Sequence, residues 1–207
     1  MRIKNDVRKN EEIKPIGVVI GVRNLKFLVC DIAGGIADSP SKEEWVASPI
    51  HCMDRAVEWK PKIILVSFML ISIREREALV ELCAALKRNS HTKQCAVLAL
   101  LCSKQRKLIE DLKRAKVDYV RYIGDARLDS SFVWEIIENL GPGDRLVRRL
   151  ETLCPFLHYS QIDSQQEMTV CGAYLDRMVL GGRRLHELCE TEVHPHCEYY
   201  QHPRRKS

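Results

Sequence analysis

The stretch that decides the predicted fold is residues 60–72, KPKIILVSFMLIS. After Pro61 the chain is almost continuously apolar, in a run too short to span a membrane. Runs of this kind form strands buried on both faces, which lie in the middle of parallel sheets with helices on either side. Ser67 is the polar residue near the carboxyl end of the run, where ligands bind in open α/β sheets. The chemistry of Ser67 is therefore the first question about function.

The sequence on both sides of this strand alternates between apolar runs and amphipathic segments. Further strands are predicted at residues 16–22, 44–48, 96–101 and 119–123, and helices at 24–37, 50–59, 73–87, 104–116 and 130–140. An alternative for the first helix is a strand over 27–32, in a hairpin with 16–22. The alternation over residues 15–140 predicts an α/β fold with a five-stranded, doubly wound parallel sheet of flavodoxin-like order.

Composition indicates a globular protein without a membrane anchor. Hydrophobic residues make up 45% of the 207 residues and charged residues 29%, with a net charge of +5. Residues 1–14 form a charged arm without the apolar core of a signal peptide, so we expect a cytoplasmic location. Gly141-Pro142-Gly143 ends the α/β domain. A linker and helix at 141–153, a cysteine-rich module at 154–200 and a basic tail at 201–207 are predicted to follow.

Three segments, AVEWKPKIILVSFML (56–70), ELCAALKRNSHTKQCAVLALL (81–101) and AKVDYVRYI (115–123), resemble the receiver domains of bacterial two-component response regulators. The resemblance covers roughly residues 15–140. It implies a central strand that ends in an aspartate phosphorylated by a histidine kinase, two acids after the first strand that hold Mg²⁺, a Ser/Thr after the fourth strand and a lysine after the fifth.

The residues at these receiver positions differ from the family pattern. Ser67 stands at the aspartate position, Gly21 and Val22 at the acid pair, Leu101 (or Ser103, with a shift of register) at the Ser/Thr, and Tyr122 at the lysine. A serine without a neighbouring base, metal or lysine is a poor nucleophile for phosphoryl transfer. We therefore predict a pseudo-receiver that is not phosphorylated and is not an enzyme.

A basic segment follows the predicted fourth strand. In the receiver family, this part of the surface binds partner proteins, which implies a protein partner with an acidic surface or a homodimer through the same face. A solvated basic helix is the simpler interpretation, and nucleic acid is less favoured because no helix-turn-helix or aromatic platform accompanies the charge. The candidate contact residues are Lys104, Arg106, Lys107, Lys113, Arg114 and Arg121.

The nine cysteines fall into two groups. Cys30, Cys52, Cys83, Cys95 and Cys102 lie in apolar segments and are predicted to be small buried hydrophobes. Cys154, Cys171, Cys189 and Cys197 fall together in the last quarter of the chain, where few large apolar residues surround them.

Four thiolates are the ligand set of either a zinc ion or a [4Fe–4S] cluster, and we predict that this mainly helical module binds one of them. The spacing contains no CxxC knuckle. The segment resembles a short cysteine-rich module of small uncharacterised bacterial proteins, which carries no established chemistry. His158, His194 or His196 could replace a cysteine as a ligand, and free thiols are the alternative to metal binding.

The sequence thus predicts a pseudo-receiver that acts by protein–protein contact in bacterial signalling and carries a metal-binding unit. A redox or metal sensor that uses the same cysteines, and a nucleic-acid-binding regulator, are the alternatives.

Overall fold

The computed structural model describes residues 27–31, 43–69, 71–163, 167–175 and 178–204. Five parallel strands form the main sheet in the order β2-β1-β3-β4-β5, which is the flavodoxin-like order. The strands are β1 (Phe27–Cys30), β2 (Glu43–Val46), β3 (Ile63–Phe68), β4 (Ala96–Leu101) and β5 (Tyr119–Tyr122). The predicted α/β fold class is confirmed.

Helices join these strands and pack on both faces of the sheet. They are α1 (Pro49–Trp59), α2 (Ile73–Arg88), α3 (Arg106–Arg114) and α4 (Ser130–Glu138). Ser72 caps α2 by accepting from the Glu75 N–H, while the Glu75 carboxylate accepts from the Ser72 N–H. The Asp129 side chain caps α4 in the same position by accepting from the Phe132 N–H.

The sheet is buried on both faces, as a central parallel sheet requires. Every residue of β3 is buried. Alternate side chains of β3 divide between two cores: Ile64 and Val66 pack toward α1, α2 and α3, whereas Ile63 and Leu65 pack toward α4. The continuous apolar run in the sequence follows directly from this double burial.

The beginning of the chain differs from the prediction. The helix predicted over 24–37 is wrong for Phe27–Cys30, which is a strand hydrogen-bonded between β2 and β3. The alternative prediction, a strand over 27–32, gives the correct position of this strand. Its described neighbours are parallel to it, whereas a hairpin partner would be antiparallel. The strand predicted at 16–22 lies outside the described residues, as does any hairpin with it. Four apolar residues carry too little periodic signal to separate helix from strand, and the two neighbouring strands decide the outcome.

The C-terminal module is built on a small sheet. After α5 (Leu146–Glu151), three antiparallel strands follow in the order β6-β7-β8, namely Leu157–Gln161, Glu167–Cys171 and Met178–Val179. Short helical segments complete it: α6 (Gly182–Arg184), continued by a π-helical turn (Leu185–Cys189), and α7 (Glu198–Gln201). The prediction of a mainly helical module is therefore wrong. The alternation of apolar and polar residues in strands this short was missed in the sequence.

No helix in the described part of the chain is long and apolar enough to cross a membrane.

Candidate functional site

Ser67 lies one residue before the end of β3, opposite Leu100 of β4. Its side chain is 0% exposed, and its hydroxyl has no hydrogen-bond partner among the described residues. A hydroxyl in this position is not accessible to a phosphodonor, and a nucleophile needs a base within hydrogen-bond reach. Within the described part of the chain, the geometry therefore offers Ser67 no base that could activate it.

An acidic residue follows the strand beside Ser67, contrary to the sequence prediction. The strand adjacent to β3 is β1, and the residue after β1 is Asp31, whose backbone N–H donates to the Val46 carbonyl at 3.0 Å. Gly21 and Val22, the predicted positions of the acid pair, lie outside the described residues. The prediction that this edge has no carboxylate is wrong because FLVC was assigned to a helix. An apolar run followed by Asp, as in FLVCD, was the signal that could have located it.

Leu101 and Tyr122, which stand at the Ser/Thr and lysine positions of the receiver pattern, end their strands at the same edge of the sheet. Leu101 of β4 is buried and pairs with Tyr122 of β5. Burial raises the pKa of Tyr122, and its hydroxyl has no partner within the described ranges. Tyr122 is therefore a neutral phenol that cannot supply the positive charge of a lysine. Two cations, Lys104 and Arg149, lie over its ring at 5.8 Å and 5.5 Å from the centroid.

The four tail cysteines come together in the C-terminal module. Cys154 follows α5, Cys171 ends β7, Cys189 ends the π-helical turn, and Cys197 precedes α7; all are buried. The Cys154 N–H donates to the Cys189 carbonyl at 2.8 Å, and Cys189 lies within electrostatic reach of the other three thiols. Cys154, Cys171 and Cys189 thus belong to one buried cluster with Leu157, Ala173 and Leu180, and Cys197 interacts electrostatically with Cys189.

Hydrogen-bond donors point at two of these sulfurs. The Phe156 N–H donates to Cys154, and the Arg184 guanidinium donates to Cys197. Burial raises the pKa of the Cys154 thiol, and burial together with the neighbouring thiols raises that of Cys189 to about 12. In the absence of a metal these two thiols are protonated at neutral pH, so binding of a metal must release protons.

The arrangement of ligands does not match that of a single ion. Across the described residues, no three His, Cys, Asp or Glu side chains are grouped closely enough to hold one metal ion. Of the three candidate histidines, His158 and His196 are exposed. His194 is buried, with Nδ1 2.8 Å from the Thr191 carbonyl oxygen. Within the described residues, the structure therefore brings none of the three histidines into a metal-sized group with the tail cysteines.

The five remaining cysteines provide a comparison. Cys30, Cys52, Cys83 and Cys95 are buried, as predicted, whereas Cys102 is exposed because it lies beyond the end of β4. The Cys52 thiol is hydrogen-bonded to the Cys30 thiol, and this contact together with burial strongly raises the pKa of Cys52. Burial likewise raises the pKa of Cys83. These thiols are hydrophobic core residues.

The module docks against α2 and α3 through Glu167. The Arg76 guanidinium donates to both Glu167 carboxylate oxygens, at 2.8 Å and 2.9 Å, and Gln105 donates to the same carboxylate. The Arg76 and Glu167 side chains are only 19% and 14% exposed. This bidentate pair holds β7 against the larger domain.

A second set of contacts ties α3 to the cysteine cluster itself. The Arg106 side chain donates to the Leu153 carbonyl at 2.6 Å, next to Cys154, and the Tyr159 hydroxyl accepts from the Arg106 N–H at 3.1 Å. Lys104 donates to the Glu190 carbonyl at 3.2 Å, next to Cys189. Two cysteines thus lie one residue from a contact with the larger domain.

The contacts with the C-terminal module divide the six basic residues predicted to bind a partner into two groups. Lys104 and Arg106 are engaged by the module, and Arg121 is paired with Asp144 at 3.0 Å. Lys107, Lys113 and Arg114 remain exposed on α3. The sequence did not reveal this division, because the contacts join residues between 23 and 86 positions apart.

Comparisons with known proteins find similarity only among solved structures. No protein-family model and no curated protein sequence matches the chain. Among solved structures, the phosphorylated cyanobacterial phytochrome response regulator RcpA is 18% identical, with a TM-score of 0.37, over 56% of this chain and 89% of that chain. The Mn²⁺-bound response regulator Rcp1 is 15% identical, with a TM-score of 0.35, over 55% and 89%.

Proposed function

We propose that this chain is a pseudo-receiver: a signalling module that is not phosphorylated, acts by protein–protein contact, and carries a metal-binding unit at its C-terminus. The observation that supports this most directly is the state of Ser67. Where a receiver presents an aspartate, this chain has a fully buried hydroxyl without a partner among the described residues. One carboxylate at Asp31 and a neutral phenol at Tyr122 do not compensate for the missing aspartate and lysine.

Incubation of the protein with acetyl phosphate and Mg²⁺ is expected to leave its intact mass unchanged. Phosphoryl transfer requires an exposed nucleophile with charge stabilisation around it, and Ser67 has neither. A phosphorylatable receiver serves as the positive control in the same mixture. A stoichiometric gain of one phosphoryl group at Ser67 would overturn the pseudo-receiver assignment.

The surface proposed to bind a partner is the exposed part of α3 and the groove beside it. This groove lies between α2 and α3 and has a volume of ≈ 580 Å³. Val80, Ala84 and Leu108 contribute apolar lining. The cations of the groove are Arg76, Arg88, Lys107 and Arg114, and its acids are Glu77, Glu81 and Asp111. A protein with an acidic surface would complement those cations, whereas a second copy of this chain or a nucleic acid are the competing partners.

Reversal of Lys107, Lys113 and Arg114 to Glu is expected to leave the fold intact and to weaken capture of an acidic partner. These side chains are exposed and lie off the buried stripe of α3, so each should change the free energy of unfolding by less than about 0.5 kcal/mol. Pull-down at two salt concentrations measures the effect, which should be larger at low salt.

The control variant replaces Lys93, Arg148 and Arg183 with Glu. These residues are also exposed, so the variant has the same change in net charge at positions outside α3. Equal loss of the partner in both triple variants would show that net charge, rather than the α3 surface, determines binding.

The metal-binding unit is the second part of the proposal. Cys154, Cys171, Cys189 and Cys197 would hold the metal as thiolates, and either zinc or a [4Fe–4S] cluster would supply a structural centre. A redox or metal sensor is the alternative function. It is favoured by the contacts of Arg106 and Lys104 beside Cys154 and Cys189, because a change at the cysteines would act directly on α3.

A further inference from the structure

Arg76 belongs to two surfaces at once. It lines the groove between α2 and α3, which is the surface proposed above to bind an acidic partner. Its guanidinium also donates to both Glu167 carboxylate oxygens, at 2.8 Å and 2.9 Å, and so holds the C-terminal module. While Glu167 is in place, the Nη1 and Nη2 groups of Arg76 cannot form the same bidentate pair with a carboxylate of another protein.

The larger domain builds this carboxylate-binding site without the module. Arg76 lies on α2, and Gln105 immediately precedes α3. The Gln105 side-chain oxygen accepts from Arg76 Nη1 at 2.6 Å, and the amide nitrogen of the same side chain donates to the Glu167 carboxylate. A residue of the larger domain therefore holds the guanidinium in position. A carboxylate from another protein would meet the same two donor groups, already oriented.

The module meets the larger domain through polar contacts and has a core of its own. Among the described residues, the buried cluster of the module is made of residues from 154 onward. Leu153 is the last residue along the chain in the clusters of the larger domain. Beyond it, Glu167 pairs with Arg76, and Lys104 donates to the Glu190 carbonyl at 3.2 Å. Interfaces between domains that are polar and leave each core intact resemble transient protein–protein interfaces, so the module can separate.

Charge in the groove depends on whether the module is docked. The lining contains four cations, Arg76, Arg88, Lys107 and Arg114, and three acids, Glu77, Glu81 and Asp111. Glu167 is the fourth carboxylate, so docking of the module balances the charges of the groove. Departure of Glu167 leaves one positive charge in excess, at Arg76. The open groove is therefore complementary to a segment that brings a carboxylate of its own.

We propose that an acidic segment of the partner protein competes with Glu167 for Arg76, so that the C-terminal module controls access to the groove. This inference rests on the acidic partner proposed above and adds the regulation of that same surface. The partner binds only the fraction of molecules in which the module is undocked, so its apparent affinity falls by that fraction. The coupling is reciprocal, and the partner must in turn favour release of the module.

The test is a fluorescence-anisotropy titration of the full chain with a labelled oligo-glutamate peptide at low salt. Glu167→Gln keeps the size of the side chain but removes the charge that pairs with Arg76, so the peptide should bind about tenfold more tightly than it binds the unchanged chain. Glu151→Gln removes one negative charge at an exposed position outside the groove, and it measures the effect of net charge alone. Arg76→Ala added to Glu167→Gln should abolish the gain.

The unchanged chain provides a second measurement. Saturating oligo-glutamate should speed proteolytic cleavage of residues 150–200 severalfold, because it favours the undocked state, whereas oligo-glutamine should not. Equal affinities of the Glu167→Gln and Glu151→Gln proteins, or unchanged cleavage at saturation, would overturn the competition and leave the acidic partner intact. A gain that survives Arg76→Ala would overturn the assignment to Arg76. Absence of peptide binding by every one of these chains would overturn the acidic partner as well.

Discussion

Ser67→Asp, which restores the receiver residue, is expected to destabilise the protein rather than make it phosphorylatable. The site is fully buried, and Asp31 is the charged residue at the end of the neighbouring strand. An uncompensated buried charge costs about 3–5 kcal/mol. Burial also raises the pKa of the introduced carboxyl, so the folded state binds the proton more tightly than the unfolded state. The loss of stability should therefore grow as the pH rises above about 4.

Denaturant unfolding of Ser67→Asp at acidic and neutral pH measures both effects, and Ser67→Ala is the matched control. The Ser67 hydroxyl is buried without a hydrogen bond to the described residues, so its removal should be neutral or stabilising by about 1 kcal/mol. If Ser67→Asp and Ser67→Ala prove equally stable at neutral pH, the site is open to solvent and the argument against phosphorylation fails.

Glu167→Ala is expected to detach the C-terminal module from the larger domain. The substitution leaves the Arg76 guanidinium, 19% exposed, without its bidentate partner. The cost should be about 3 kcal/mol, near the lower end for a buried pair that loses one member. Limited proteolysis should then cleave residues 150–200 faster, and thermal unfolding should separate into two transitions.

The pH dependence gives an independent measure of the same contact. The Arg76 guanidinium, as the main cause, holds the pKa of Glu167 below its usual value of 4.5. The stabilisation by this pair is fully present above pH 4.5 and is lost as the pH falls through the lowered pKa. The Glu167→Ala protein should lack this pH-dependent contribution to the free energy of unfolding.

Glu151→Ala removes an exposed ion pair with Arg148 and should cost less than about 1 kcal/mol. A cost for Glu167→Ala no larger than this would show that the module is held by other contacts.

The sequence alone was sufficient to locate strands and helices whose hydrophobic pattern extends over many consecutive residues. The apolar run of β3, the amphipathic stripe of α2 and the strand at Ala96–Leu101 were all located correctly. Each buries a continuous surface, so the hydrophobic pattern repeats over enough residues to be unambiguous. Order in the sheet followed from the alternation of strands and helices.

Contacts between distant residues decided the rest. Phe27–Cys30 is a strand because its backbone is hydrogen-bonded to two parallel neighbours, and this pairing brings Asp31 to the edge beside Ser67. The sequence predicted that the basic residues of α3 form one surface. In the structure, however, Arg106 is hydrogen-bonded to the carbonyl of Leu153, 47 positions away. The spacing of the cysteines suggested a shared centre, but not the arrangement of their sulfurs. Hydrophobic periodicity records which face of an element is buried, and only the assembled fold determines which polar groups meet there.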